Sequence, residues 1–108
     1  MSDCVVGMVT CGSKAEARAL ARAVLEPKLA ACVNIVAGVE SHYWWQGKLE
    51  SGTEALLVLK TTKPKLSALE KLILARHPYD TPEFVVLPLH AGTPRYLDWL
   101  AASVKARR

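Results

Sequence analysis

The chain has 108 residues, 51% of them apolar and 22% charged, and its 14 Lys+Arg outnumber its 10 Asp+Glu for a formal charge of +4. This composition excludes a disordered chain, and the length suits one domain, residues 1–108, with a hydrophobic core of its own. No apolar run approaches the ~18 residues that span a bilayer, and the start, MSDCVVGMVTCGSK, has no basic region ahead of its apolar stretch, so neither membrane insertion nor a secretory signal is expected.

Cys4–Thr10 is a short apolar run with β-branched residues and reads as a buried strand. Ser13-Lys14-Ala15-Glu16 then matches a capping box, with Ser13 as N-cap and Glu16 at the third helical position. Ala17, Leu20, Ala21, Val24 and Leu25 follow at helical spacing, and Pro27 ends that helix. From Ala31 the period changes to two. Val33, Ile35, Ala37, Val39, Tyr43 and Trp45 form an apolar parity, and Asn34, Glu40 and His42 stand on the other. Gln46-Gly47 reads as a hairpin turn, with a return strand from Lys48 to Thr61. Both arms exceed the usual five or six residues, and Gly38 and Ser51-Gly52 are the expected bulges that bend them. Thr62 and Pro64 open a second helix with Leu66, Leu69, Leu72, Ile73 and Arg76 on its inner side, closed by Pro78. Phe84–Leu89 reads as a fourth strand, and Thr93-Pro94 starts a third helix carrying Leu97, Leu100, Ala101 and Val104.

The order is α+β: a ferredoxin-like βαββαβ unit with a long hairpin between its second and third strands and an extra C-terminal helix. Right-handed crossovers put the first two helices on one face of the sheet. The other face ought then to alternate with polar residues. Instead Val5, Val6, Met8 and Val9 are apolar on both parities, as are Ala55–Leu59 and Phe84–Leu87. A third helix of about three turns covers part of that surface, and association with copies of itself is expected to cover the rest.

Several blocks, in order along nearly the whole chain, resemble the CutA divalent-cation-tolerance family. They are Leu29-Ala30-Ala31-Cys32-Val33-Asn34-Ile35, Gly38, Tyr43-Trp44-Trp45-Gln46-Gly47-Lys48, Leu59-Lys60-Thr61-Thr62, His77-Pro78-Tyr79, Pro82-Glu83, Leu87-Pro88 and Tyr96-Leu97-Asp98-Trp99-Leu100. Asp80 stands where that pattern usually has Glu, and Ala37 where it commonly has Pro. The resemblance implies a compact homotrimer of ferredoxin-like subunits, akin in architecture to PII signal proteins. It also implies a link to tolerance of divalent metals, notably copper.

Copper or another soft divalent metal takes thiolate and imidazole ligands, and folding is expected to need none. Cys4 and Cys11, seven apart on one strand, point to opposite faces and cannot share an ion. Cys11 lies where the first strand meets the capped helix, a place that either lowers a thiol pKa or simply holds a small packing residue. Cys32 is either core filler or a ligand. His77, at a helix end, either meets the negative end of the macrodipole or contacts a metal completed by another subunit. Cys11, Cys32 and His77 are therefore the metal candidates. With the resemblance as guide, Trp44, Trp45, Lys60, Tyr79 and Glu83 are expected at an inter-subunit cleft for a small ligand. Trp44 and Trp45, adjacent on one strand, face opposite ways.

Other functions find less support. No GxSxG, HExxH or phosphate-cradling glycine loop is present, so no enzyme is expected. The RRM aromatic signature is also missing, and Lys105, Arg107 and Arg108 gather in the last four positions as a frayed tail, so no nucleic-acid partner is expected. With neither a membrane span nor a secretory signal expected, the chain reads as cytoplasmic, and an odd three cysteines without CxxC imply no disulfide framework. The favoured reading is a trimeric divalent-cation-tolerance protein that binds copper or another divalent metal. A PII-like regulator or scaffold, taking a small molecule or a protein partner between subunits, is the alternative.

Overall fold

The structure, a computed structural model, describes residues 3–105. Arg107 and Arg108 of the basic tail and the first two residues of the chain's start lie outside the described residues. The elements run β1 (Cys4–Cys11), α1 (Lys14–Leu25), β2 (Cys32–Trp45), β3 (Lys48–Thr62), a 3₁₀ turn at Lys63–Lys65, α2 (Leu66–Arg76), β4 (Val85–Pro88) and α3 (Pro94–Ser103). One antiparallel sheet has the order β2-β3-β1-β4. Local chemistry sets the ends of these elements. Ser13 Oγ accepts from the Glu16 N–H at 3.2 Å and so caps α1. Gln46 and Gly47, at φ 51° and 77°, make the primed two-residue turn that matches strand twist.

Val5, Val9 and Cys11 of β1 and Ala55, Leu57, Leu59 and Thr61 of β3 share one face and are buried. Ala17, Leu20, Ala21 and Val24 of α1 and Leu69 and Ile73 of α2 close over that face. Burying each of Leu57, Leu59, Leu69 and Ile73 contributes about 1.5–3 kcal/mol. Arg76 is exposed rather than turned inward, and Leu25 lies at the margin of the core. The fourth strand is shorter than expected, since pairing with β1 runs only from Met8↔Val85 to Val5↔Pro88.

The hairpin departs from the simple alternation. Val36 faces Leu56, but Val39 faces Glu54, so Ala37-Gly38 is a bulge, with Gly38 at φ +72°. Ser51-Gly52 is not one, because the register from Val39↔Glu54 to Trp45↔Lys48 is unbroken. The bulge switches faces. Val33 and Ile35 share the helix side with Leu57 and Leu59, whereas Val39, Tyr43 and Trp45 share the opposite side. One sequence parity thus supplies two faces.

β1 pairs β3 only as far as Cys11↔Ala55. Beyond Glu54 the two arms, among the described residues, pair only with each other and project as a ribbon roughly 20 Å long. The molecule measures 46 × 27 × 22 Å, with a radius of gyration of 14.6 Å against about 13 Å for a compact chain of this length. On the face away from α1 and α2, α3 buries Leu100, Val104 and Cys4 at one end, while Ala101 stays exposed. The remainder keeps Val36, Val85 and Leu87 open to solvent. No described helix is long and apolar enough to cross a membrane.

Candidate functional site

Two places gather the residues singled out in the sequence, both at the end of the sheet from which the ribbon projects. The first is where β1 leaves the sheet. His77 follows α2 with extended backbone (φ −76°, ψ 133°), which swings its ring off the helix axis and under β1. Nδ1 accepts from the Tyr79 N–H at 3.1 Å, so the ring proton sits on Nε2, which donates to the Thr10 carbonyl at 2.7 Å. The ring is buried and ties the residue 77–79 turn to β1, a different task from meeting the helix dipole. Cys11 Sγ lies 3.9 Å from Nε2. Thiol and imidazole adjoin a cavity of about 270 Å³ between α1 and the end of α2, with Glu16, Ala19 and Arg76 also on its wall.

The helix N-terminus does not activate Cys11. Burial pushes its thiol up from 9.0 to about 11, and the carboxylates of Glu16 and Glu54 add to the rise. Of the two alternatives for this thiol, activation fails, first because the sulfur is buried and then because Glu16 in the first turn of α1 sets a negative charge near it. Cys32 does not join this pair. It pairs with Lys60, which pairs with Val6, five residues back from Cys11, a separation of roughly 16 Å along the strand. It also lies on the opposite face, with Sγ 3.7 Å from Asn34 Oδ1. Among the described residues no three His, Cys, Asp or Glu side chains stand close enough to hold a metal, and none of the three cysteines forms a disulfide.

The second place is an open groove of about 910 Å³ between the ribbon and the loop at 79–83. It brings together Trp44, Trp45, Tyr79 and Glu83, four of the five expected cleft residues. Lys60 is not among them. It lies about six residues up β3 from Glu54, roughly 20 Å away, where Nζ donates to Asn34 Oδ1. Three acids missed in the sequence take its place: Glu40, Glu54 and Asp80. Glu54 accepts from the Tyr79 hydroxyl at 2.8 Å, and burial with that bond pushes the phenol pKa well up. Gly12 leaves room for this contact, since a Cβ there would meet Glu16 Oε1 at 3.0 Å and the Tyr79 hydroxyl at 3.4 Å. Glu40 Oε2 meets His42 Nε2 at 2.6 Å. No sequence signal marks Glu54, because its place just past the end of β1 becomes visible only once the register is known.

Fold and site define a class: a ferredoxin-like fold with an extended hairpin ribbon, an uncovered apolar sheet face and an aromatic, acidic groove at the ribbon's base. The profile described as CutA1 divalent ion tolerance protein matches residues 5–103. A rice relative, "Protein CutA 1, chloroplastic", is 45% identical over 101 residues, covering 94% of this chain and 57% of its own length. The solved divalent cation tolerance protein (Cut A1) from Thermus thermophilus superposes with a TM-score of 0.90 at 44% identity, covering 93% of this chain and 97% of that one. The periplasmic divalent cation tolerance protein CutA from Archaeoglobus fulgidus gives 0.91 at 36%, covering 94% and 99%. The chain belongs to the CutA1 divalent ion tolerance protein family. It spans little more than half the length of the rice relative. Because relatives are named chloroplastic and periplasmic, the family is not tied to the cytoplasm.

Proposed function

We propose that this chain is the subunit of a homotrimer acting in divalent-cation tolerance, which holds copper or another divalent metal reversibly at Cys11 and His77. The observation that carries this reading is the thiol of Cys11 standing 3.9 Å from His77 Nε2 beside a cavity. A thiol and an imidazole are the donors a soft metal takes. The relatives' shared name, divalent-cation tolerance, supports the same direction. Binding costs the thiol its proton and moves the His77 ring proton from Nε2 to Nδ1, which gives up both the bond to Thr10 and the one accepted from the Tyr79 N–H, so affinity is modest and rises with pH. Such a site releases metal readily, which suits buffering better than a permanent structural ion. Cys32 takes part only if another subunit supplies it.

Self-association is supported by the apolar area left open around Val36, Val85 and Leu87 and by the ribbon, since a two-stranded ribbon alone is marginally stable. Assembly through these surfaces covers both. The cysteines favour a reducing compartment, and a cytoplasmic location belongs to this same proposal.

The test is thermal stability with and without copper. A ligand at a hundredfold excess over its Kd stabilises the folded state by about 2.7 kcal/mol, which corresponds to a rise of several degrees in Tm. The copper-induced shift, rather than Tm itself, is compared with that of a Cys11→Ser, His77→Asn double variant, because His77 also supports the fold. Loss of the shift is expected, and an undiminished shift removes both residues from the site. The groove with Trp44, Trp45, Tyr79 and Glu83 favours a second reading, a PII-like regulator or scaffold that takes a small ligand or a partner protein there.

A further inference from the structure

The buried ring of His77 has both nitrogens in use inside the fold. Nδ1 accepts from the Tyr79 N–H at 3.1 Å, and Nε2 donates to the Thr10 carbonyl at 2.7 Å. Only the tautomer with its proton on Nε2 serves both bonds. Nε2 is also the nitrogen 3.9 Å from Cys11 Sγ. Used as a ligand through that atom, the neutral ring carries its proton on Nδ1 instead. Two N–H groups then oppose each other across the 77–79 turn, and Tyr79 loses its acceptor. His77 and Tyr79 do not both keep their places.

Tyr79 carries this change away from the thiol. Its ring packs on that of His77, with centroids 4.6 Å apart, and its hydroxyl donates to Glu54 at 2.8 Å. Glu54 pairs with Val39, the first pair past the bulge at Ala37-Gly38. It is also the first residue of β3 beyond the cover of β1, whose pairing ends at Cys11↔Ala55. Glu54 therefore stands at the root of the ribbon. The segment between His77 and β4 is free to yield, because residues 77–84 lie in no helix or strand and Pro78 and Pro82 donate no backbone bond. From Cys11 through His77 and Tyr79 to Glu54, each step is a direct contact, and the one at Nδ1 has two exclusive arrangements.

We propose that occupancy of the Cys11–His77 site is coupled to the ribbon: the 77–79 turn lets go of the His77 ring, the Tyr79 hydroxyl leaves Glu54, and the ribbon's root is freed. The ribbon, a surface expected to meet other copies of the chain, thereby responds to metal. The coupling rests on the metal reading at Cys11 and His77 and adds a regulatory consequence to it. Such coupling is reciprocal, so the bond that holds Tyr79 to Glu54 also opposes the metal.

Copper is the probe, titrated into the assembled wild type and into Tyr79→Phe, which keeps the backbone N–H and loses the hydroxyl. The variant is expected to bind copper about fivefold more tightly, although it is the less stable fold. A merely structural role for the hydroxyl would lower stability without tightening the metal. In the wild type, hydrogen–deuterium exchange read by mass spectrometry is expected to quicken over residues 77–83 when copper is added, against the slowing that a ligand selective for the folded state gives elsewhere. Equal or weaker copper affinity in Tyr79→Phe, or slower exchange over 77–83, overturns the coupling and leaves the metal site standing. Absence of any copper-induced shift in the wild-type Tm overturns the metal reading, and the coupling with it.

Discussion

Cys11 carries the sharpest quantitative consequence of this fold. Its thiol stands at about 11 in the folded chain and returns to its ordinary 9.0 when burial and the neighbouring Glu16 and Glu54 are lost on unfolding. Between pH 9 and 11 the unfolded chain therefore gives up a proton that the folded chain keeps. Stability from this group is intact below pH 9 and is lost as pH rises to about 11. The shift corresponds to about 2–3 kcal/mol. Cys11→Ala starts less stable, because removing the sulfur leaves a small void worth about 1 kcal/mol, but it lacks the alkaline loss. Tyr79, whose phenol is raised chiefly by burial and its bond to Glu54 and least by Cys11, titrates in both proteins, so most of the difference between them belongs to the thiol. Urea denaturation at fixed protein concentration, stepped from pH 8 to 11, measures it. In parallel, the thiolate of Cys11 near pH 8 is about a hundredfold scarcer than for an ordinary cysteine. Iodoacetamide should therefore modify half-buried Cys32 well before Cys11, read by peptide mass spectrometry. Parallel stability curves, or Cys11 alkylated as fast as Cys32 at pH 8, would refute the reasoning.

Gly38→Ala should destabilise the protein by about 1 kcal/mol, because φ +72° strains an L-residue although nothing lies within 4 Å of its Cβ, whereas Gly52→Ala, equally uncrowded and without positive φ, should not; chemical denaturation of the pair separates backbone strain from packing. Leu87→Lys falls on a side chain 53% exposed in the single chain, so a monomer would tolerate it within about 0.5 kcal/mol. Sedimentation should instead show the wild type near three times 11.8 kDa and the variant dissociating, and an unchanged assembly would acquit this face. Tyr79→Phe removes the hydroxyl that donates to Glu54 and should cost at most about 1 kcal/mol of stability, since the carboxylate regains water; a loss of several kcal/mol would mean the bond is far more buried than the structure has it.

Much of the fold was legible from local chemistry. Ser13 with Glu16 marks the start of α1, Gln46-Gly47 marks the hairpin turn, and the apolar spacing of Leu69 and Ile73 marks the buried side of α2. In each case the deciding interaction lies within a few residues, so the sequence pattern and the structure carry the same information. The bulge was half legible: glycine announced it at 38 and wrongly at 51–52, because glycine permits a bulge without requiring one, and register decides.

What sequence determined by itself was the order of elements, the apolar character of both sheet faces and the family to which the blocks from Leu29 to Leu100 point. Tertiary structure alone decided the neighbourhoods. Ala37-Gly38 sent Val39, Tyr43 and Trp45 to the face opposite Val33 and Ile35, a switch of side that pairing register sets and composition does not. It separated Cys32 and Lys60 from Cys11 and the groove, because strands running antiparallel place residues near or far by register rather than by motif. It buried Cys11 and set Glu16 and Glu54 near it, which keeps the thiol protonated and decides against the reactive alternative. The physical reason is the same each time: charge and burial act through distances of a few ångströms, and those distances exist only after strands from remote parts of the chain have paired.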